Sequence, residues 1–253
     1  MLKVITILVT VLALAAGAAL AEEVEFKTSD GFVLKGEYQG ARPGAPTVLL
    51  MHQLGSDHRE FKGLAALFAE AKVNVLSYDA RGHGESVWKS GKKVTYKQFD
   101  DQAFAAMTKD IDAALAFLKE NKGLDGAPVG LVGSSIQSST ALLYASNHPE
   151  ITTLTMLSPG IGYHNIDTAG PMKEYGKRPV FIAVSRGDEY SAESAANLVD
   201  MASGTKRIEV MDGPAHGVAM FAKNPKLSRL VVDWTTARLA EATPKGKKQG
   251  GGK

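Results

Sequence analysis

A serine stands in this chain where a short apolar stretch gives way to a helical pattern, and that position suits nucleophilic chemistry. Val129 to Val132 predict a buried strand, and Ser138 to Ala145 predict the helix that follows it. A serine at a sharp turn between strand and helix is held on a strained backbone, with its hydroxyl exposed above the helix N-terminus. The pattern therefore predicts Ser135 as the nucleophile of an acyl-transfer reaction.

A glycine fixes the register of this turn. Because the turn is tight, it needs a residue without Cβ two places before the nucleophile. Gly133 meets that need for Ser135, whereas Ser134 would have Val132 in the same place. The alternative interpretation is a serine that only caps the helix, which is the commoner role of an isolated Gly-Ser pair.

Three further motifs occur around Ser135 in a fixed chain order. They are His52-Gln53-Leu54-Gly55 after an apolar strand, Asp79-Ala80-Arg81-Gly82-His83-Gly84 further on, and Gly213-Pro214-Ala215-His216-Gly217 far downstream. With the serine turn, they resemble the α/β-hydrolase family over most of the chain, from about Val24 to Ala240. That family uses the chain order serine, acid, histidine.

The resemblance implies a role for each member of a catalytic triad. His216 is expected to be the base that takes the proton of Ser135. The family places its acid after the strand that ends at Val184, where both Asp188 and Glu189 are candidates, and we favour Asp188. The acid orients the histidine and stabilises its protonated form. A solvated turn without a role is the alternative interpretation of this acidic pair.

The resemblance also implies an oxyanion hole made of backbone N–H groups. One donor is expected from Ile136, directly after the nucleophile, and the other from Leu54 in the loop after the first parallel strand. Gln137 departs from the family pattern, which has a small residue two places after the nucleophile. We expect it either to displace the helix slightly or to point its amide into the site.

The other histidines of the chain have structural interpretations. His52 is expected to shape the oxyanion loop, His83 to stabilise the loop in which it lies, and His148 to lie on the surface before a proline. No pair of histidines has the spacing of a metal site. The sequence therefore predicts neither a metal nor a cofactor.

The two ends of the chain differ in composition from the middle. Residues 1–21 have Lys3, an apolar run from Val4 to Leu14 and an Ala-Leu-Ala cleavage site, which together predict a signal peptide; the alternative is a membrane anchor. Residues 243–253 are rich in glycine and lysine and predict a disordered tail. The expected location is therefore exported, either periplasmic or extracellular, with no stable membrane anchor after signal removal.

Charge and cysteine content exclude some partners and some sources of stability. The formal charge of +2 depends on Lys3 and four tail lysines, since without them 24 basic residues face 27 acidic ones. Nothing in the remaining chain indicates a nucleic-acid groove. With no cysteine, the domain must be stabilised by its core rather than by disulfides.

Residues 22–242 are expected to form one α/β domain: a mostly parallel central sheet with helices on both faces, preceded by a β-hairpin. The hairpin strands are predicted at Val24 to Lys27 and Phe32 to Tyr38. The later strands are predicted at Thr47 to Met51, Val73 to Tyr78, Val129 to Val132, Thr153 to Leu157, Val180 to Val184 and Arg207 to Met211. The helices are predicted at Glu60 to Ala71, Lys97 to Asn121, Ser138 to Ser146, Ala192 to Met201 and Pro225 to Ala240.

The segment between Pro159 and Pro179 is too short for a cap domain and has room for a loop and one helical turn. The site should therefore be open. The most specific hypothesis is an exported serine hydrolase that cleaves small-molecule carboxylic esters through an acyl-enzyme. The alternatives are a thioesterase or peptidase with the same triad, or a binding protein without catalytic activity on a hydrolase scaffold.

Overall fold

The computed structural model describes residues 21–243 of the chain. The predicted signal peptide, apart from its last residue, and the predicted tail, apart from Thr243, lie outside the described residues. Among residues 21–243, no helix combines the length and the apolar character needed to cross a membrane.

Twelve strands occur in the described part of the chain. They are β1 (Glu22–Lys27), β2 (Phe32–Gln39), β3 (Thr47–Met51), β4 (Asn74–Tyr78), β5 (Trp88–Lys89), β6 (Lys92–Lys93), β7 (Val129–Ser134), β8 (Ile151–Leu157), β9 (Gly162–Tyr163), β10 (Ile166–Asp167), β11 (Val180–Ser185) and β12 (Lys206–Met211).

Eight α-helices occur in the same residues. They are α1 (Lys62–Glu70), α2 (Asp101–Ala105), α3 (Thr108–Lys122), α4 (Ile136–Asn147), α5 (Ala169–Tyr175), α6 (Glu189–Met201), α7 (Ala219–Lys223) and α8 (Pro225–Ala242). Two short 3₁₀ helices, His58–Phe61 and Tyr96–Gln98, precede α1 and α2.

Ten of the strands form one twisted sheet whose central part is parallel. The order is β12-β11-β8-β7-β3-β4-β2-β5-β6, with β1 paired to β2. The six strands from β12 to β4 are parallel to one another. The N-terminal pair β1–β2 is antiparallel, which confirms the predicted opening hairpin. All residues of β3, β4, β7 and β11 are buried, as expected of parallel strands covered on both faces.

Two apolar cores lie on opposite faces of this sheet. One includes residues of α3, α4, α5 and α6, and the other includes residues of α1, α7 and α8. Because the helices cover both faces, the ends of the strands are the places where polar side chains can meet. The predicted α/β fold is therefore confirmed.

Two parts of the predicted secondary structure were wrong. The single helix predicted from Lys97 to Asn121 is a 3₁₀ turn followed by α2 and α3, because Asp100 caps α2 and the chain breaks again at Met107. The segment between Pro159 and Pro179 is not a loop with one helical turn. It forms a β9–β10 hairpin and the seven-residue helix α5.

Candidate active site

The turn after β7 is backbone-strained at Ser135. This residue has φ 56° and ψ −125°, a region that residues with a Cβ rarely adopt. Its N–H donates to the carbonyl of Leu157 on the neighbouring strand β8 over 2.8 Å, and α4 begins at the next residue. The hydrogen bonds and packing around the turn thus offset the energetic cost of this strained backbone conformation.

The close approach at Gly133 explains why the turn has this register. A Cβ at position 133 would lie 2.5 Å from the carbonyl oxygen of Gln137 and 2.6 Å from Cα of Ser138, both in α4. A side chain there would force the helix away from the strand. The neighbouring Ser134 is fully buried, and its hydroxyl donates to Gln53 Oε1 over 3.3 Å. Of the two serines, Ser135 therefore stands at the strained position.

His216 and Asp188 are joined by a short hydrogen bond. His216 Nδ1 lies 2.6 Å from Asp188 Oδ2, and the two side chains are 37% and 15% exposed. A carboxylate accepts only, so Nδ1 carries the proton and Nε2 of the neutral ring is an acceptor. Glu189, the alternative acid, is the exposed first residue of α6 and makes no bond to His216 among the described residues.

The loop that carries Asp188 and the loop that carries His216 are joined by backbone hydrogen bonds. Gly187 N–H donates to the carbonyl of Gly213 over 2.9 Å, and a Cβ at position 187 would lie 3.0 Å from that oxygen. Arg186 N–H donates to the carbonyl of Met211 over 2.8 Å. Asp188 and His216 are therefore positioned by two loops, at the ends of β11 and β12, that are hydrogen-bonded to each other.

The residue after the histidine packs against the serine turn. Gly217 has φ 57°, and a Cβ there would overlap both Ser134 Oγ and Gln53 Oε1. Its N–H donates to Ser158 Oγ over 2.9 Å. This contact brings the His216 loop up to the end of β7. Within the described residues there is no hydrogen bond between Ser135 and His216, and such bonds often tighten only when substrate is bound.

Ser158 was not recognised from the sequence. It is fully buried at the end of β8, has φ 49° and donates its N–H to the carbonyl of Ala183. Its hydroxyl holds the loop after His216, so it is a positioning residue of the site. The only sequence signal was a serine between a strand and Pro159, which is too common to be specific.

The loop after β3 is shaped by His52, as the sequence predicted. His52 Nε2 accepts from Ala80 N–H over 2.9 Å, so Nδ1 is the donor to the carbonyl of Gln53 over 2.8 Å. Burial and the neighbouring His83 lower the pKa of His52 to about 4, which keeps it neutral. Gln53 N–H donates to Glu60 Oε1 over 2.9 Å, and burial raises the pKa of Glu60.

The two backbone N–H groups of the predicted oxyanion hole make no internal hydrogen bond within residues 21–243. In the described residues, neither Leu54 N–H nor Ile136 N–H donates to another protein group. Ile136 is the first residue of α4, where N–H groups lack partners within the helix. Both N–H groups are therefore available to a ligand, although the Leu54 side chain itself is exposed. Their assignment to an oxyanion hole stays a prediction.

Gln137 does not point its amide at the histidine or the acid. Its side chain is 1% exposed, and Nε2 approaches the sulfur of Met107 at 3.5 Å. Its Oε1 has no hydrogen-bond partner in the described residues. The departure from the family pattern is thus accommodated by packing of α4 against the break between α2 and α3.

The β9–β10 hairpin brings a tyrosine to the site. Tyr163 Oη lies 3.1 Å from Ser191 Oγ, and its ring packs with Ile136 in a small apolar cluster. Burial raises the pKa of the Tyr163 hydroxyl, and hydrogen bonding with Ser191 opposes that rise. The hydroxyl thus stays protonated at neutral pH, and the ring lies in the same cluster as Ile136, the residue after Ser135. No spacing in the sequence singled out Tyr163.

A second histidine–aspartate cluster lies in the loops after β3 and β4. Asp57, His58 and Asp79 offer ligand atoms that all lie within 4.8 Å of one another, a grouping that the sequence spacing did not predict. Asp79 is fully buried, and its carboxylate already accepts from His58 Nδ1, His58 N–H and Glu85 N–H. Because protein donors occupy these oxygens, the cluster acts in folding the loops after β3 and β4.

Two more histidines have the structural roles that the sequence predicted. His83 Nδ1 bonds the carbonyl of Arg81 at 2.9 Å, and its ring stacks on Tyr96. His148 is partly exposed and bonds Glu150 at 2.9 Å. Neither belongs to the site.

A parallel sheet with a strained serine after a central strand, an acid after β11 and a histidine after β12 defines the α/β-hydrolase class. A family model described as serine aminopeptidase, S33, matches residues 43–186. The chain therefore belongs to this family of α/β-hydrolases, and membership places it among the hydrolases.

Similarity to individual proteins is more distant. A thiohydrolase, apmlB, of Arthrinium phaeospermum is 27% identical over 157 residues, which are 62% of this chain and 48% of that protein. A thiohydrolase, aneE, of Aspergillus aculeatus is 29% identical over 121 residues, which are 47% of this chain and 36% of that protein. The chain thus spans half or less of the length of these relatives.

Among solved structures, the esterase Pf2001 of Pyrococcus furiosus superposes with a TM-score of 0.72 at 20% identity. The match covers 87% of this chain and 93% of the esterase. At this identity, the likeness shows the fold alone.

Proposed function

We propose that the chain is a serine hydrolase that cleaves carboxylic esters through an acyl-enzyme. The observation that carries the proposal is the 2.6 Å bond from His216 Nδ1 to Asp188, on loops packed against the strained turn of Ser135. An ordinary surface ion pair needs no strained serine beside it. A nucleophile, a base and an orienting acid need this combination.

The proposed mechanism starts with the neutral ring of His216. Its Nε2 takes the proton of Ser135 as Oγ attacks the ester carbonyl carbon, and Asp188 stabilises the imidazolium that results. The N–H groups of Ile136 and Leu54 bind the developing oxyanion. When the bond to the alcohol breaks, His216 gives its proton to the departing oxygen. Water then repeats the sequence and releases the acid, which regenerates Ser135.

Labelling by a fluorophosphonate probe tests the nucleophile directly. Such a probe should modify the native protein and leave Ser135→Ala unlabelled, whereas Ser134→Ala should still be labelled. Equal labelling of native protein and Ser135→Ala would refute the proposed nucleophile. Absence of labelling in the native protein, together with ligand binding, would instead support a binding protein on a hydrolase scaffold.

Thioester hydrolysis is a second candidate because the two relatives reported above are named thiohydrolases. Peptide cleavage is a further candidate because the matching family is described as a serine aminopeptidase family. Both use the same serine chemistry, so Ser135, His216 and Asp188 do not distinguish thioester from peptide cleavage. An oxygen ester, a thioester and an amide with the same acyl group, compared by kcat/KM, should rank the oxygen ester first.

Export belongs to the same proposal and rests on residues 1–21. Expression of the full chain in a Gram-negative bacterium should give a periplasmic protein whose first residue is Glu22. A protein that begins at Met1 and stays with the membrane would support the alternative of an N-terminal anchor.

A further inference from the structure

The base of the β9–β10 hairpin is hydrogen-bonded to α4, the helix that follows the serine turn, and to α6. The carbonyl of Gly160, at its base, accepts from Ser139 Oγ of α4 over 3.1 Å and from Thr168 Oγ1 over 3.0 Å. On the other side, Ile161 N–H donates to Ser194 Oγ of α6 over 3.0 Å. The buried groups of two helices therefore fix where the hairpin can place a side chain.

Tyr163 is the side chain that this hairpin places at the site. A Cβ at position 160 would lie 2.5 Å from its ring, so the ring rests directly on Gly160. Its hydroxyl lies 3.1 Å from Ser191 Oγ, and its ring packs in the apolar cluster that contains Ile136, the residue after Ser135. Ser191 lies in the first turn of α6, just after Asp188. When Ser191 Oγ donates to this hydroxyl, the Tyr163 proton is left for a second acceptor at the serine turn.

The sheet order indicates which substrate atom this donor faces. Strands β3 and β8 flank β7 on opposite sides. The loop with Leu54 follows β3, whereas the hairpin with Tyr163 follows β8, the side on which the loops of Asp188 and His216 also lie. If the carbonyl oxygen turns toward Leu54, the departing group turns toward His216. Tyr163 is on that second side.

We propose that the Tyr163 hydroxyl donates a hydrogen bond to the oxygen of the departing alcohol, which makes the site selective for oxygen esters over thioesters. The inference rests on the proposed serine hydrolase function. Tyr163 keeps its proton throughout: the proton that the alcohol gains comes from Ser135 by way of His216. Sulfur is a weak acceptor, so a departing thiol gains little from the same donor.

Tyr163→Phe tests the proposal because it removes the hydroxyl and keeps the ring on Gly160. We would measure kcat/KM, which reports steps up to acylation, on ethyl butanoate and on S-ethyl butanethioate. The variant should lose about 3- to 10-fold on the ester, the value of one hydrogen bond, and less than about twofold on the thioester. Equal losses on both substrates, or no loss on the ester, would overturn the proposal.

Tyr190→Phe is the matched control for a loosened hairpin. Its hydroxyl accepts from Gly162 N–H over 3.1 Å, and its ring packs against that of Tyr163 at 5.2 Å. Its removal should change ester and thioester rates by the same factor. An ester-selective loss in this variant as large as that of Tyr163→Phe would show that hairpin position, not the Tyr163 hydroxyl, sets the preference.

Two further measurements keep the outcome interpretable. Fluorophosphonate labelling of Tyr163→Phe at Ser135 separates the inference from the proposed function, because labelling tests the nucleophile and the substrate ratio tests the tyrosine. If Tyr163→Phe does not fold, Ser191→Ala removes the 3.1 Å anchor instead. That variant should show a smaller loss that is again confined to the ester, and a loss shared by both substrates would overturn the inference.

Discussion

Two histidine–aspartate pairs with the same 2.6 Å contact occur in this chain, His216–Asp188 and His58–Asp79. Their surroundings differ. Asp79 is fully buried and also accepts from the backbone N–H groups of His58 and Glu85, whereas in the described residues Asp188 accepts a hydrogen bond from His216 alone. The Asp79 carboxylate is therefore already occupied by three protein donors. The ring of His216, in contrast, is partly exposed and lies on a loop packed against the turn of the strained Ser135.

The difference shows that a histidine–aspartate bond does not by itself identify a catalytic pair. Burial would raise the pKa of Asp79, but hydrogen bonds from His58 and two backbone N–H groups hold it below its ordinary value. Such a carboxylate is committed to folding. The proposed catalytic pair is distinguished by the nucleophile that its ring can reach, and this suggests changes that should affect one pair and not the other.

The largest effect is expected from Ser135→Ala. Without the nucleophile, the His216–Asp188 pair has no more chemistry available than His58–Asp79. Loss of a triad serine costs on the order of 10⁶ in kcat in a well-studied protease. Ester hydrolysis by the purified variant should fall by several orders of magnitude, while Ser134→Ala keeps a substantial part of it. A dead Ser134→Ala variant would mean that the register is wrong.

Exchange of each aspartate for asparagine should have opposite consequences. Asp188→Asn should lower kcat by about 10⁴, because an amide supports the wrong tautomer of His216. Asp79→Asn should lower the free energy of unfolding by about 3–5 kcal/mol, the usual cost of breaking a buried pair, and leave kcat per folded molecule nearly unchanged. Steady-state kinetics and urea unfolding of both variants give the two quantities.

Glu189→Gln is the control for the first of these exchanges. Glu189 is exposed and makes no hydrogen bond to His216, so the kcat of the Glu189→Gln variant should remain close to that of the native protein. Losses of similar small size in Asp188→Asn and Glu189→Gln would mean that the acid lies elsewhere.

The sequence predicted the central sheet well because buried parallel strands are apolar without interruption. Strand β3 was predicted with its observed bounds, and β11 within one residue. The helix break at Met107 was missed because it depends on distant contacts. Asp110, just after the break, is fully buried and bonds Arg81 Nε at 2.8 Å, a partner 29 residues away. Helical periodicity contains no information about that contact.

The short hairpins were missed for a different reason. Strands of two residues show no alternation, and only the turns carry a signal. His164 and Asn165 have φ 45° and 60°, and Ser90 and Gly91 have φ 47° and 80°, as tight hairpin turns require. Motifs were enough to name Ser135, Asp188 and His216 as candidate site residues. The position of Tyr163 near Ile136 could not be predicted from motifs, because docking of β9–β10 on α4 and α6 creates it.

The smallest effect concerns the pH dependence of stability, and it isolates the structural pair. The hydrogen bond to Asp79 raises the pKa of His58. A histidine whose pKa is raised by folding stabilises the protein fully below its unfolded value, about 6.5, and loses that contribution as pH rises through the folded value. His58→Gln should therefore lower the free energy of unfolding by on the order of 1 kcal/mol at pH 5.5 or so, and by less at about pH 8. Denaturant unfolding across this range measures the difference.

His148→Gln is the control, because it removes an exposed pair with Glu150. It should lower the free energy of unfolding only slightly at either pH. A cost for His58→Gln that grew with pH would show that the neutral ring is the form that Asp79 prefers.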